Sequence, residues 1–308
     1  MTRDYAGLLS PRSVALLGDP DWMGAVIRSL RNMGYVWNIW PVTSEARQME
    51  HLECYPQAQD LPSAPDLAFF GPGWARTFAD GDGGAQPHSD SVDSTDTDAQ
   101  LADALQAFAT RGTTAAIITT TVEDAAALRR AAAPMILLGA GSAGQVNALD
   151  RAALWPESHG ATPVKRGVAV LGQSETALKT LSEQTRGLSL AYMAHVGDER
   201  LGSMIGLGAA LLRDERITVL GLQSRDLHRD VSGLLELGRL AARLGKSVVV
   251  LKPGRDPGTS ALMARAGFGR VGDLPSLIEA LKVLHLVGPL PANALAAACC
   301  CDGVGSGA

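Results

Sequence analysis

The sequence predicts an α/β protein of two doubly wound parallel-sheet domains. Three observations lead there. Short apolar runs end in glycine turns, segments with apolar residues at helical spacing separate them, and the whole layout restarts after a Pro- and Gly-bearing stretch at 151–166. Strands that alternate with helices are joined by right-handed crossovers, which makes the sheets parallel. The 308 residues are enough for two cores. Hydrophobic content of 46% with 34 glycines and only 5% aromatics suits cores of small aliphatic side chains.

The elements follow in order. The run 14–17 ends at Gly18 and reads as a buried strand. Over 22–33, Val26, Ile27, Leu30 and Met33 share one helical face, and Gly34 stops the helix. A second strand is expected over 36–42, and a third over 67–70, closed by Gly71-Pro72-Gly73. A helix near 99–110 follows, then strands at 115–119 and 135–138 around a helix over 122–132. These make a first domain, 1–150. The stretch 151–166, with Pro156, Gly160, Pro163, Lys165 and Arg166, reads as a linker. Strands at 168–171, 188–193, 217–222 and 247–251 then alternate with helices near 174–186, 199–213, 229–244 and 274–285. They make a second domain, 167–290. Residues 291–308 read as a tail or the start of a third domain, with an apolar strand over 294–301.

The segment 77–98 holds six Asp and no Lys or Arg. It cannot bury enough apolar surface to order itself and is expected to be a mobile surface insert. The net charge of −5 gives no basic footprint for nucleic acid. Cys54 stands alone, and Cys299, Cys300 and Cys301 are consecutive, which is no disulfide framework. Neighbouring strand residues point to opposite faces, so the triple suits an apolar strand better than a metal. No apolar run reaches the ~18 residues of a membrane span, and the N-terminus lacks the apolar stretch of a signal peptide. The expectation is a cytoplasmic protein with no metal, no membrane and no nucleic-acid partner.

A turn from strand to helix offers backbone N–H groups and the positive end of the helix dipole to an anion. In open parallel sheets, ligands sit beyond the C-terminal strand ends. The segments LLSPRSVALLGDP, MGAVIRSLRNMGYVWNIWPV, LPSAPDLAFFGP, RGVAVLGQSETAL, YMAHVGDE, ITVLGLQSRDL and KSVVVLKPGRD occur in that order. Together they resemble the NDP-forming (ADP-forming) acyl-CoA synthetases and the succinyl-CoA synthetase alpha subunit. The resemblance implies a Rossmann-like CoA-binding domain followed by a flavodoxin-like, succinyl-CoA synthetase-like domain. It places Gly18, Asp19 and Gly24 on a first ligand loop, Pro41, Val42 and Thr43 after the second strand, and Gly71 and Pro72 after the third. Gly139 and Ser142 belong to a further cofactor-binding turn, and Gln173 and Ser174 to the remnant of a phosphate-facing turn.

The chain also departs from that family. Thr43-Ser44-Glu45 stand in place of Asn-Pro-Lys, with Arg47 the nearest substitute for the lysine. Gly139-Ala140-Gly141-Ser142 keep the glycine turn of a Gly-Pro-Asn-Cys-like segment and lose its amide and thiol. Glu175 puts an acid where a glycine would meet the anion. The family carries a phosphate on a loop histidine oriented by a glutamate. No histidine lies between Lys252 and Leu274, and the glutamate position falls at Gln223. Of the six histidines, at 51, 88, 159, 195, 228 and 285, none matches that loop. His195, before the Gly197-Asp198 turn, is the best placed, against a plain structural role.

The expected cofactor is therefore CoA or an acyl-CoA, with no catalytic residue of the chain's own. ATP or ADP would be reached through a partner, an ATP-grasp or acyltransferase chain, in a homo- or hetero-oligomer. Two alternatives stay open: an active acid–thiol ligase subunit working with an ATP-grasp partner, and the regulatory ligase-like module of a protein acetyltransferase. A dinucleotide oxidoreductase would need an acid ending the second strand. Pro41-Val42-Thr43 stand there instead.

Overall fold

The structure is a computed structural model, and it describes residues 4–77, 94–225, 229–254 and 256–289. The chain opens with α1 (Ala6–Leu9), β1 (Ser13–Leu17), α2 (Pro20–Met33) and β2 (Asn38–Val42). A small hairpin, β3 (Gln48–Met49) and β4 (Leu52–Glu53), precedes β5 (Leu67–Phe70). Then come α3 (Ser94–Arg111), β6 (Ala115–Ile118), α4 (Ala125–Ala131) and β7 (Ile136–Leu138). The first sheet is all parallel, in the order β2-β1-β5-β6-β7. Every residue of β1, β5 and β6 is buried, as expected for strands covered on both faces. Pro41 is tolerated because β2 is an edge strand.

Helix α2 forms as its sequence dictates. Pro20 opens it, Val26, Ile27, Leu30 and Met33 are buried, and Gly34 ends it at φ 86°. The second strand begins two residues later than expected. Val36 is 82% and Trp37 50% exposed, and the Arg12 guanidinium lies 5.3 Å over the Trp37 ring. Only from Asn38, opposite Ser13, does the chain come into register with β1.

The second sheet holds β8 (Gly144–Asn147), β9 (Ala152–Leu154), β10 (Gly167–Gly172), β11 (Leu190–His195), β12 (Ile217–Gln223), β13 (Ser247–Leu251) and β14 (Gly269–Val271). Its order is β14-β13-β12-β10-β11-β8-β9. The last five of these strands in the chain pair in parallel, whereas β8 runs antiparallel to β11 and β9 antiparallel to β8. Around it lie α5 (Glu175–Ser182), α6 (Met204–Arg213), α7 (Val231–Arg243), α8 (Pro257–Ala266) and α9 (Leu274–Val287). The side chains of Ser174, Ser203, Asp230, Asp256 and Asp273 cap them.

The expected boundary at 150 falls between two strands of this second sheet. Ala152, Ala153 and Leu154, expected in the linker, are a buried strand, and Trp155 is fully buried behind them. The run is apolar but too short to stand out among the prolines and glycines that follow. One apolar cluster holds Leu16, Phe69 and Ile117 of the first sheet together with Leu154, Ala194 and Leu207 of the second unit. An ion-pair knot reinforces the junction: Arg216 donates to Asp150 at 2.8 and 3.1 Å and to Asp214 at 2.8 Å, and Ser10 donates to Asp150 at 2.5 Å. Burial raises the Asp150 carboxyl, and these hydrogen bonds outweigh it to leave the group below its ordinary value.

Helix α3 starts at Ser94, inside the expected insert, and residues 78–93 lie outside the described residues. So do the expected strand over 294–301 and its three cysteines. Helix α8 and strand β14 were not foreseen. Among the described residues no helix is long and apolar enough to cross a membrane, and no group of three or more ligating side chains could hold a metal ion.

Candidate functional site

The C-terminal ends of β1, β5, β6 and β7 form the crest of the first sheet. A Cβ on Gly18 would come 2.9 Å from the Pro72 carbonyl oxygen, so the turn after β1 needs glycine. The loops are tied together there: the Asp19 N–H donates to Pro72 O at 2.7 Å, and the Gly71 N–H to Leu17 O at 2.7 Å. Trp22 packs so closely on Gly71 that any side chain there would meet its ring, and it stacks edge-on against Phe69 at 4.7 Å. Two acids, Asp19 and Asp21, stand at the start of α2. Gly24 is not in the loop. It is buried in the second turn of α2, beneath the Arg28–Glu50 ion pair.

Pro41, Val42 and Thr43 are strapped from outside by Tyr55. Tyr55 N–H donates to Pro41 O at 2.9 Å, and Thr43 N–H to Tyr55 O at 2.8 Å. The Thr43 hydroxyl accepts from Glu45 N–H at 3.1 Å. Arg47 is exposed. The crest also holds two residues that the sequence reading missed. Thr119 and Thr120, at the end of β6, have buried hydroxyls with no hydrogen-bond partner. A buried hydroxyl without a partner costs about 1–3 kcal/mol, which a bound ligand can recover. A run of threonines directly after an apolar strand was the available signal.

The loop after β7 turns away from the crest and clasps the second unit. A Cβ on Gly139 would strike the Ile118 carbonyl, and φ there is 108°. Ser142, 1% exposed, donates to His195 O at 2.6 Å and accepts from Gly144 N–H at 3.0 Å. The Ala143 N–H donates to His195 Nδ1 at 2.9 Å, and the Asp198 N–H to Ala140 O at 2.7 Å. The Ser142 hydroxyl thus ties the two units together. Between this clasp and the start of α5 opens a cavity of about 820 Å³, walled by Gln173, Ser174, Glu175, His195, Arg225 and Arg229 among others.

Residues 12–146 match the family of CoA binding domains. The chain is 25% identical over 261 residues to trans-feruloyl-CoA synthase FCS1 of an unidentified prokaryote, across 80% of this chain and 34% of that protein. It is 32% identical over 69 residues to the ADP-forming acetate–CoA ligase II of Archaeoglobus fulgidus, across 21% of this chain and 10% of that one. The fold matches the apo dinucleotide-forming acetyl-coenzyme A synthetase 1 of Ca. Korarchaeum cryptofilum, with a TM-score of 0.73 and 17% identity over 92% of this chain and 62% of that one. A structure from Pyrococcus horikoshii OT3 gives a TM-score of 0.72 at 17% identity, over 91% of this chain and 61% of that one. Through its CoA binding domain and its fold the chain is similar to the NDP-forming acyl-CoA synthetases. It spans about a third of the length of the feruloyl-CoA synthase.

The turn from β10 to α5 is closed from within. Gln223 Oε1, at the end of β12, accepts from the Gln173 N–H and the Ser174 N–H, both at 2.8 Å. Gln173 returns the contact: its Oε1 accepts from Arg225 N–H at 2.7 Å and Ser224 Oγ at 3.2 Å, and its Nε2 donates to Glu199 at 3.1 Å. Burial lowers the His195 imidazole, against the pull of the Gln173 backbone and Glu175. The ring is neutral, with Nδ1 unprotonated because it accepts the Ala143 N–H.

The other histidines sit apart. His51 is in the β3–β4 turn, His159 lies 3.2 Å from Ser29 Oγ, and His285 lies 2.7 Å from Thr218 Oγ1. His88 and His228 are outside the described residues. Between β13 and α8 run only residues 252–256, and the Lys252 ammonium is held by Arg225 O at 2.8 Å.

Proposed function

We propose that this chain binds CoA or an acyl-CoA at the crest of its first sheet and transfers no phosphoryl group by itself. The first half rests on the CoA binding domain match over 12–146 and on the crest itself. Glycines at 18 and 71 let the two crest turns close tightly against each other and Trp22, and the Thr119 and Thr120 hydroxyls await a partner. The second half rests on one observation: five residues join β13 to α8, and no histidine lies between Lys252 and Leu274. Gln223, a neutral amide, stands where the family's carboxylate would support an imidazolium. Nucleotide chemistry would then come from an ATP-grasp or other partner chain.

Calorimetric titration with CoA, acetyl-CoA, NAD and ATP tests this reading. Heat with CoA or acetyl-CoA supports it. Heat with NAD and none with millimolar CoA overturns it. The likeness to an acetate–CoA ligase favours a second reading, an acid–thiol ligase subunit completed by an ATP-grasp partner. Phosphate from labelled ATP retained on this chain would establish that one instead.

A further inference from the structure

We infer that Gln223 is the residue that excludes oxyanions from the start of α5. This exclusion rests on the reading of a chain without phosphoryl transfer, and names the side chain that enforces it. The Gln173 and Ser174 N–H groups converge on a single oxygen, at 2.8 Å each. Two convergent backbone donors at a helix start are the arrangement that takes one oxygen of a phosphate or carboxylate. Here that place is filled by the side chain of the neighbouring strand.

The filling is held firmly. The Gln173 backbone N–H also reaches Gln223 O at 3.1 Å, while the Gln173 amide is held by Ser224, Arg225 and Glu199. The ends of β10 and β12 are thus tied by side-chain amides from both strands, and the Gln223 side chain would have to give up both N–H groups to leave. The surroundings mix both signs of charge, with Asp198 paired to Arg200. Arg200, Arg225 and Arg229 stand in the wall of the 820 Å³ cavity onto which Ser174 opens. An amide oxygen saturates the two donors without adding charge, so an incoming oxyanion would have to displace it to reach them. Glu175, next in the helix, adds repulsion at the mouth.

The test uses the whole chain, ¹⁵N-labelled, titrated with inorganic phosphate, as wild type, Gln223→Ala and Gln223→Ser. Neither shorter side chain reaches the two N–H groups. The wild-type Gln173 and Ser174 amide resonances are expected to stay still. In the variants they should move saturably, with phosphate bound ~10-fold or more tightly than by wild type. CoA titration of the same proteins should be unchanged, because the Gln223 side chain bonds only the Gln173 and Ser174 backbone and neither crest turn. Loss of CoA binding by wild type would strike at the proposed function alone. Phosphate shifting the two wild-type resonances as much as the variants' would overturn the exclusion. So would a folded variant that takes no phosphate, or failure of both variants to fold, which would make Gln223 a structural bolt only.

Discussion

His195 turns its Nδ1 atom toward the main chain of Ala143 and accepts that N–H at 2.9 Å. The bond crosses from one unit to the other and exists only while the ring nitrogen is unprotonated. Its pH dependence has a definite sign. Burial lowers the folded-state value below the ordinary 6.5, so below that pH the unfolded chain takes up the proton more readily. The contribution is complete above about pH 6.5 and is lost as the pH falls below it. His159 and His285, also lowered by burial, act in the same direction. Urea unfolding should give a lower midpoint at pH 5.5 than at 7.5. His195→Gln should narrow the difference, since its amide oxygen can accept the N–H at either pH. An equal drop in both proteins would remove His195 from the explanation.

Gly18→Val should weaken CoA binding by at least ~10-fold, roughly 1.4 kcal/mol. The added Cβ alone would come 2.9 Å from Pro72 O and 3.0 Å from the Trp22 ring, forcing the two crest loops apart. Calorimetry on a variant with unchanged circular dichroism checks it, and unchanged CoA affinity would place the ligand elsewhere.

Ser142→Ala should cost about 1–3 kcal/mol in unfolding free energy. It leaves the His195 carbonyl and the Gly144 N–H without the hydroxyl that joins them. CoA binding should be little changed, because this side chain faces the junction between the units. A loss of affinity with stability intact would return Ser142 to the ligand site.

Asp98→Ala should destabilise the first unit by about 1 kcal/mol. Its carboxylate accepts the Glu123 and Asp124 N–H groups, both at 2.8 Å, at the threshold of α4. Asp98→Asn should recover part of that. Chemical denaturation of the three proteins ranks them.

Incubation with labelled ATP, or with acyl-CoA, ADP and labelled phosphate, should leave no acid-labile phosphate on the chain. His195 has one ring nitrogen engaged by Ala143 and its ring hydrogen-bonded to the Gln173 backbone. Without a positioned nucleophile, transfer loses several kcal/mol of barrier reduction. Phosphohistidine that disappears in His195→Ala would restore the ligase reading.

Strands β1, β5, β6, β10 and β13 were legible because each is a short, almost wholly apolar run, whereas β8, β9 and β14, short or carrying polar residues, were not. Segment ends were less legible, since Val36 and Trp37 carry strand-like side chains into a solvent-facing turn. Gly24 was misread for a positional reason. Pro20 starts α2 at once, which moves residue 24 from the loop into the helix. The segment ending at 98 looked like pure solvent-facing acid, yet Asp98 lies on α3 and caps its neighbour. The Gln173–Gln223 exchange was beyond reach, because fifty residues separate partners that only sheet order brings together. The glycine turns at 18 and 71 were readable. The threonine run after β6 was visible in the sequence, but that its hydroxyls lack partners shows only once burial is known.

Strand β8 belongs by sequence to the end of the CoA binding domain match and by pairing to β11. A chain cut at 150 would keep Val146 and lose every backbone partner of its strand, leaving an open edge that invites other copies to pair with it. The two halves are therefore expected to melt in one transition, and a shortened chain meant to isolate the first half is better ended before Gly144 than at a boundary drawn from composition.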